Sequence, residues 1–356
     1  MKKNTLVDWS EQTLYVGIDL HKKKWVATVR TDELVLKTFA TDGKKESFVK
    51  AVLRNWPGAR IKAVYEAGYF GYHIAAYLNG HGIETMIASP QRIPKEPGYF
   101  VKTDKIDSRK LAEFLSKGLL RGIWQWDTET LQDRGLVRKR GQMVKRRVQI
   151  QLQIKADLAF YGIEIKTTKW GYWSKRYIAQ LKQIGKECSH DYYGTVFRMM
   201  IEEYEQLRIR IREVTKLIIQ LSKTDKYREN VALLRRIPGI SVLSAMILLT
   251  EIGNISRFPS EEKFVSYIGF TPSEYSSGEK VRKGSLTGMG NGTLRKMFIE
   301  IAWIAVRKDP ALLEKFDRVR KGKSKTKAIV AVARSMANRV RRVVITGEPY
   351  VIGVVA

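Results

Sequence analysis

Apolar residues follow two different patterns along this chain, and the first is that of a sheet. Between Leu14 and about Gly118, short β-type apolar runs stand before or between stretches with helical spacing. Three runs in succession, followed by alternating helix and strand patterns, predict a mixed α/β sheet flanked by helices. The predicted strands are Leu14–Ile18, Trp25–Val29, Val35–Phe39, Ile61–Tyr65 and Thr85–Ala88.

The second pattern is helical and runs from about Thr128 to Lys226, where strand signals are replaced by long charged helical stretches. In its second half, apolar residues are separated alternately by four and three residues. This heptad spacing predicts an antiparallel hairpin or an intermolecular coiled coil, and a long helix packed on its own domain is the third interpretation. The seam consists of Met200, Tyr204, Leu207, Ile211, Val214, Ile218 and Leu221.

The loop between these helical stretches carries aromatic residues interleaved with basic ones around Trp170. Such a composition is typical of surfaces that stack on nucleic acid, but it also fits a hairpin tip whose aromatic side chains pack within the protein. Both interpretations stay open.

A second globular region begins at about Asn230. The residues Ile237 to Ile240 break a helix, and the apolar helical run Val242–Thr250 follows directly. This pattern favours a helix-hairpin-helix, in which backbone N–H groups near Gly239 bind a phosphate without reading sequence. An ordinary packing corner is the alternative. We therefore predict three domains, at residues 1–122, 123–228 and 229–356, of which the third is mainly α.

Charge identifies the class of partner. The chain has 356 residues, with 65 lysines and arginines against 36 acids and a net charge of +29. Such a basic protein is expected to bind a polyanion, either nucleic acid or an anionic membrane surface. The longest apolar run, Val242–Thr250, is far below the roughly 20 residues of a membrane span, which favours nucleic acid. The basic stretch from Lys321 to Arg342 is expected to contact the phosphate backbone of the nucleic acid.

The N-terminal residues, the cysteine and the histidines limit where the protein is expected to be located and which metals it is expected to bind. The first residues contain two lysines without a following apolar segment or cleavage site, so we expect a cytoplasmic protein. The single cysteine, Cys188, excludes an internal disulfide, and the four scattered histidines show no zinc-ligand spacing. Any bound metal is therefore expected to have oxygen ligands.

Four acids stand at the ends of predicted elements. Asp19 closes the first apolar run and Glu66 the fourth, while Asp104 and Asp107 lie three residues apart at a helix start. Each alone is explained by a helix cap, a turn or a surface ion pair. Together, crowded carboxylates require a cation among them, and Mg²⁺ held by a few carboxylates fits this set.

These stretches also resemble a known family. The D-E-D-D signature of a RuvC-like, RNase H-fold nuclease domain is matched by YVGIDLHKKKWVATV, VYEAGY and KTDKIDSRKLAEFL. The three stretches resemble this nuclease domain as it is found in the IS110 (insertion-sequence one-ten) transposase family, which includes the pilin-gene invertases. That family's second domain is similar to IPGISVLSAMILLTEIGNISRF and FVSYIGFTPSEYSSGEKVRKGSLTGMGNGTLRKMFIEIAW. The resemblance runs from about Leu14 to Arg342 and implies that Asp19, Glu66, Asp104 and Asp107 are catalytic metal ligands.

The loop EYSSGEKVRKG contains two adjacent serines followed by bases. Its composition alone predicts only a Ser/Gly turn with solvated cations. The family resemblance implies a nucleophilic serine here, at Ser277, with Ser276 as the neighbouring alternative. Lys280, Arg282 and Lys283 are then expected to bind nucleic acid around the reacting phosphate, as are Gly239 and Arg295.

The resemblance implies a prokaryotic, nucleoid-associated recombinase that cuts and rejoins DNA through a phosphoserine link. It further implies a non-coding bridge RNA that pairs with donor and target DNA, and a homo-oligomer, either a dimer or a tetramer. One alternative is a RuvC-like hydrolytic nuclease that acts on branched DNA without a covalent intermediate. The other is a nucleic-acid-binding scaffold without catalytic activity.

Overall fold

The computed structural model describes residues 8–94, 103–165, 171–188, 190–274 and 283–353, with only the backbone of Lys283. The chain divides into two compact units, Met1–Trp126 and Asp127–Ala356. The finer division into three domains, with boundaries after residues 122 and 228, stays a prediction.

The first unit contains a five-stranded sheet with three helices. Its strands are β1 (Thr13–Leu20), β2 (Lys24–Arg30), β3 (Val35–Asp42), β4 (Arg60–Glu66) and β5 (Ile83–Ala88), in the order β3-β2-β1-β4-β5. The pairs β3-β2 and β2-β1 are antiparallel, whereas β1-β4 and β4-β5 are parallel. All five predicted strands lie inside these ranges, so the predicted mixed sheet is confirmed.

Helices cover both faces of this sheet. They are α1 (Lys45–Asn55), α2 (His73–Asn79) and α3 (Asp104–Ser116). Even-numbered β1 residues such as Val16 pack in one core with Phe48 of α1 and Leu78 of α2. Since side chains alternate along a strand, the odd-numbered residues Gly17 and Asp19 lie on the opposite face, where α3 packs. This alternation places the first acid on the α3 face.

The second unit is mostly helical. Its first helices are α4 (Thr128–Phe160), α5 (Lys175–Glu187) and α6 (Asp191–Leu221). Two interactions set the direction of α6 against α4: an ion pair joins Arg146 to Glu203, and Arg140 donates a 2.8 Å hydrogen bond to Thr215. Because the later α6 residue faces the earlier α4 residue, the two helices are antiparallel.

The heptad seam of α6 is covered by the chain itself. Tyr204 and Leu207 pack with Ile150 and Ile154 of α4, and Ile218 lies in the core that also contains Val137. These contacts agree with the antiparallel hairpin among the three interpretations. An intermolecular coiled coil is not needed to bury the seam.

The remaining elements form the core of the second unit. The helices are α7 (Arg228–Leu234), α8 (Val242–Ile252), α9 (Glu261–Ile268), α10 (Gly292–Ala305), α11 (Pro310–Arg320) and α12 (Lys325–Thr346), with a hairpin of β6 (Pro272–Glu274) and β7 (Lys283–Leu286) after α9. None of the helices in the described ranges is long and apolar enough to span a membrane.

The aromatic loop before α5 is partly internal. The ring of Trp173 lies 4.8 Å from that of Tyr204 and 5.3 Å from that of Tyr177, centroid to centroid. Tyr172 is 58% exposed, with Lys155 Nζ 4.1 Å above its ring centroid. Trp173 and Tyr177 therefore support internal packing, whereas Trp170 lies outside the described residues.

Candidate active site

Two of the four acids lie at the carboxyl ends of neighbouring parallel strands, Asp19 as the penultimate residue of β1 and Glu66 as the last residue of β4. Ile18 of β1 pairs with Tyr65 of β4, so Asp19 and Glu66 follow at the next position of the same register. Neighbouring strands lie about 4.8 Å apart, and equivalent positions point to the same face of the sheet. The carboxyl ends of β1 and β4 therefore present both acids on the α3 face.

Helix α3 supplies the other two acids from its first turn. The helix is capped by Thr103, whose side chain accepts a 3.3 Å hydrogen bond from the backbone N–H of Ile106. Because Thr103 is the cap, Asp104 and Asp107 are not needed for capping and project from the helix three residues apart. The N-cap explanation of Asp104 is therefore wrong, whereas the alternative of an acid in the first turn, where it meets the helix dipole, agrees with its position.

A glycine allows α3 to lie directly on β1. A Cβ placed on Gly17 would lie 2.1 Å from the carbonyl oxygen of Ser108 and 2.4 Å from the backbone nitrogen of Ala112. No other residue leaves this space, and a glycine within a strand often marks such a close backbone approach. Gly17 thus sets the distance between Asp19 and the first turn of α3.

A buried hydrogen bond fixes α3 on the sheet. The hydroxyls of Thr28 and Ser108 are 2.9 Å apart, and both residues are fully buried. Thr28 pairs with Gly17 across β1 and β2, and Ser108 follows Asp107 directly in the chain. The contact therefore fixes the rotation of the helix turn that carries the two acids.

His21 joins this group, although the sequence analysis did not single it out. Its Nε2 lies 3.2 Å from Oδ2 of Asp19 and 3.4 Å from Oδ1 of Asp104. One ligand atom from each of the three residues lies within 4.8 Å of the others. The available signal was a histidine two positions after a strand-end acid, where the chain turns back above the sheet edge.

The electrostatics of Asp19 show that the carboxylates are crowded. Burial raises the pKa of Asp19, the charge and hydrogen bond of His21 lower it, and the nearby charges of Asp104 and Asp107 raise it further, for a net increase. A raised pKa means that the ionised form of Asp19 is disfavoured without an added cation. Two carboxylates and an imidazole at this spacing fit a divalent ion.

Glu66 and Asp107 share a cleft with Asp19. The cleft has a volume of about 560 Å³ and is also lined by Lys110, Phe70 and other residues of the β4–α2 loop and α3. The structure thus brings Asp19, Glu66 and Asp107 to one cleft, and Asp104 to the same neighbourhood through His21. Their role as metal ligands stays a prediction.

The predicted serine site lies in the second unit and is only partly described. Ser276, Ser277, Lys280 and Arg282 lie outside the described residues, as does the side chain of Lys283. The strands β6 and β7 flank this segment and pair with each other in antiparallel fashion.

Arg295 and Gly239 both have structural contacts. Arg295 Nη1 donates hydrogen bonds to the carbonyls of Met289, at 3.1 Å, and Gly269, at 3.4 Å, just outside the two ends of the hairpin. Gly239 has φ 90°, and a Cβ there would lie 2.8 Å from the carbonyl oxygen of Ile301. Nucleic-acid binding by these two residues stays a prediction.

The buried carboxylate of Glu251 connects helices of the second unit. Glu251 of α8 is 1% exposed and accepts hydrogen bonds from Arg134 and Arg138 of α4 and from Asn291, the N-cap residue of α10. Burial alone would raise the pKa of Glu251, but the hydrogen bonds from Arg138, Arg134 and Asn291 outweigh it and lower the pKa to about 2. Glu251 is therefore ionised and connects three helices.

Two family models match successive parts of the chain. The DEDD-type model for IS110 elements, described as Transposase, matches residues 16–163, which include all four acids and His21. The model described as Transposase IS116/IS110/IS902 family matches residues 231–317, which include Gly239, Ser277 and Arg295. The chain belongs to the IS110 family of transposases.

Individual relatives agree with this assignment. The transposase for insertion sequence element IS1533 of Leptospira borgpetersenii is 25% identical over 316 residues, or 82% of this chain and 85% of the relative. The Sinorhizobium fredii protein y4qE, which its name proposes as a transposase, is 27% identical over 81% of this chain and 71% of the relative. The transposase for IS1111A of Coxiella burnetii is 25% identical over 64% of this chain and 61% of the relative.

Family membership establishes the broad activity. An IS110-family transposase acts on DNA in transposition and recombination, which requires cutting and rejoining of DNA strands. DEDD-type transposase domains usually use divalent metal ions, and the acids Asp19 and Asp104 lie close together beside His21.

Proposed function

We propose that this IS110-family transposase cuts DNA at the cleft above β1 and β4, where Asp19, Glu66, Asp104 and Asp107 bind Mg²⁺. The observation that carries the proposal is the convergence of Asp19, His21 and Asp104 within 4.8 Å. The cleft shared by Asp19, Glu66 and Asp107 supports the same assignment.

The protein groups have separate roles in this proposal. Bound Mg²⁺ would supply positive charge to the attacking and leaving oxygens of phosphoryl transfer. The pKa of Asp19 is raised, so an added cation would stabilise the ionised form of this carboxylate. His21 lies between Asp19 and Asp104 and holds both in orientation, whereas Lys110 lines the cleft near the expected position of the DNA phosphate.

We propose that Ser277 is the nucleophile and that it forms a covalent protein–DNA intermediate. Its hydroxyl oxygen attacks the DNA phosphorus and forms a phosphoserine ester, while the serine proton is released and the departing deoxyribose oxygen takes up a proton. A DNA hydroxyl then attacks the same phosphorus and frees the serine. Each step exchanges one phosphate ester for another, so no ATP is needed. Family membership supports this assignment, because the matched range 231–317 includes Ser277.

We further propose that a bridge RNA selects donor and target DNA and that the protein acts as a dimer or tetramer on the nucleoid. Guidance by RNA rests on the family resemblance, and the net charge of +29 is sufficient to hold several nucleic-acid strands. A helix-hairpin-helix around Gly239 would contribute phosphate contacts from the start of α8.

The decisive experiment incubates the full chain with its co-purified RNA, end-labelled donor DNA and Mg²⁺. The proposal predicts a covalent protein–DNA adduct that is lost in Ser277→Ala and in Asp19→Asn, with Ser276→Ala as the matched control. An adduct that survives in Ser277→Ala excludes this serine. Free cleaved ends without an adduct indicate the hydrolytic nuclease, and no Mg²⁺-dependent cleavage indicates the scaffold.

RNA guidance has its own test. RNA that remains bound to the purified protein at high salt is extracted and sequenced. We expect one defined RNA with segments complementary to donor and target DNA. A random RNA population would contradict guidance while leaving the cutting chemistry intact.

A further inference from the structure

Several basic side chains line a groove between α11 and α12. In sequence, these residues lie far from the four acids. Two contacts show that the helices are antiparallel. Asp309, the N-cap residue of α11, pairs with Arg339 late in α12, whereas Lys315 further along α11 donates a hydrogen bond to the hydroxyl of Ser335 earlier in α12. Beneath them, Leu312 and Phe316 pack with Ile329 and Val332 in the core of the second unit. The apolar sides of both helices are therefore buried, and their polar sides form the walls of the groove.

The groove has a volume of about 450 Å³, and four of its nine lining residues are basic. Lys315 and Arg318 come from α11, and Arg339 and Arg342 from α12. Arg339 is neutralised below by the fully buried Asp309, 3.2 Å away. The other three cations give the groove its charge.

Two acids also line the groove, but neither forms an ion pair with those three cations within the described residues. Glu261 accepts a hydrogen bond from Asn338, and Glu314 is exposed. Arg342 has a 3.8 Å contact with the exposed Glu348 outside the groove. The lining itself therefore has four cations and two acids, and Lys315 and Arg318 are the two of these cations for which the described residues show no ion pair.

Lys315 is the group most affected by this imbalance. It is half-buried, and in the described part of the chain its partner is the neutral hydroxyl of Ser335. Burial lowers the pKa of Lys315, and the positive charges of Arg339, Arg318 and Arg334 lower it further. A half-buried ammonium beside three guanidiniums is stabilised by an anion that reaches all of them.

We propose that this groove binds the phosphodiester backbone of nucleic acid, with Lys315, Arg318 and Arg342 contacting phosphate oxygens. The exposed Arg334 lies near Lys315 and continues the row of cations along α12, so a chain of phosphates fits better than one isolated anion. Such contacts are independent of base sequence and position the bound strand. The inference rests on the proposed function only in that nucleic acid is the substrate.

The test measures binding without catalysis. The full chain is titrated in EDTA with single-stranded DNA, duplex DNA and RNA of one unrelated sequence, at salt concentrations of roughly 50 to 200 mM. For Lys315→Gln/Arg318→Gln we expect weaker binding and a salt slope smaller by about two, one for each lost phosphate contact. The nucleic acid whose affinity falls most identifies the ligand of the groove.

The matched control removes two exposed lysines elsewhere in the second unit, in Lys186→Gln/Lys223→Gln. Equal losses in both double variants would show a general charge effect and overturn the proposal. Arg318→Glu, at an exposed position, provides a second variant that does not disturb the core; unchanged affinity in it would also overturn the proposal.

Acylation of lysines followed by mass spectrometry gives a direct readout. Saturating nucleic acid is expected to protect Lys315, and full reactivity of Lys315 in the complex would contradict the groove as its site. Because EDTA removes any metal-dependent cleavage, the groove and the acidic cleft succeed or fail separately.

Discussion

Thr28 of the sheet and Ser108 of α3 form a 2.9 Å hydrogen bond between two fully buried hydroxyls. The bond connects α3, in which Ser108 directly follows Asp107, to β2, the strand that pairs with β1. It therefore couples the orientation of two candidate metal ligands to the rigid sheet. A catalytic group is best held by elements whose own positions are fixed in this way.

Ser108→Ala is expected to weaken this coupling without unfolding the protein. The hydroxyl of Thr28 retains Thr38 as a partner at 2.9 Å. The variant loses the hydrogen bond to Thr28 and the one that Ser108 donates to the carbonyl of Lys105, together worth about 2 kcal/mol of unfolding free energy. With α3 less firmly oriented, we expect the affinity for Mn²⁺ or Mg²⁺ to fall several-fold. Urea unfolding and metal titration measure the two effects.

The control for that variant is Ser116→Ala on the same helix. Its hydroxyl donates to the carbonyl of Glu113 within α3 and does not reach the sheet. It should change metal affinity little. Equal metal affinities for Ser108→Ala and the wild type would contradict the positioning role of the buried pair.

Gly17→Ala is expected to be more severe. The added methyl would lie 2.1 and 2.4 Å from backbone atoms of α3, and backbone cannot rotate away as a side chain can. The helix must shift from the sheet, at a cost of about 1–3 kcal/mol and with loss of metal-dependent cleavage. Thermal unfolding and a cleavage assay with labelled DNA check both outcomes.

Gly141→Ala is the matched control for this methyl addition. A Cβ at Gly141 in α4 meets nothing within 4 Å, so the substitution should raise stability by up to about 1 kcal/mol. If Gly17→Ala behaves in the same way, the close approach of α3 to β1 does not set the site.

His21→Ala tests the residue that the sequence analysis missed. Loss of the imidazole leaves Asp19 and Asp104 without the group that lies 3.2 and 3.4 Å from them. We expect the Mg²⁺ concentration for half-maximal cleavage to rise about tenfold, the scale seen when orienting partners of metal ligands are removed. His81→Ala is the control, because His81 contacts the carbonyl of Tyr77 at the end of α2. The same Mg²⁺ requirement in both variants would exclude a role for His21.

The strands could be predicted because their signal is local. Each run, such as Leu14–Ile18, has a β-type composition and is bounded by polar or turn residues, and the observed strands contain all five runs. The order β3-β2-β1-β4-β5 depends on long-range pairing, which a single sequence does not specify. The heptad seam likewise indicated a buried face of α6 but not that Ile150 and Ile154 of α4 cover it.

The candidate site could be predicted from the sequence to a similar extent. Asp19 and Glu66 could be placed together because both end predicted strands, and Asp104 and Asp107 because a helix spacing joins them. What brings the two pairs together is the missing side chain at Gly17, and its meaning depends on which helix packs there. His21 belongs to a turn, and its position above Asp19 and Asp104 follows only from the path of the folded backbone.

Glu251 gives the clearest dependence of stability on pH. Its pKa is lowered from 4.5 to about 2 in the folded protein. A carboxyl with a depressed folded pKa binds fewer protons when folded, so its contribution is present above pH 4.5 and is lost as the pH falls toward 2. A shift of this size corresponds to about 3 kcal/mol.

Glu251→Gln is therefore expected to lower the unfolding free energy by about 3 kcal/mol at pH 7, because Arg134 and Arg138 lose their shared counter-charge. The difference from the wild type should shrink between pH 4.5 and pH 2, where protonation also neutralises Glu251. Glu300→Gln, at an exposed carboxyl beside Lys296, should show no such difference. Urea unfolding of the three proteins across this pH range is the measurement. A difference that stays constant down to pH 2 would mean that the charge of Glu251 does not hold α4, α8 and α10 together.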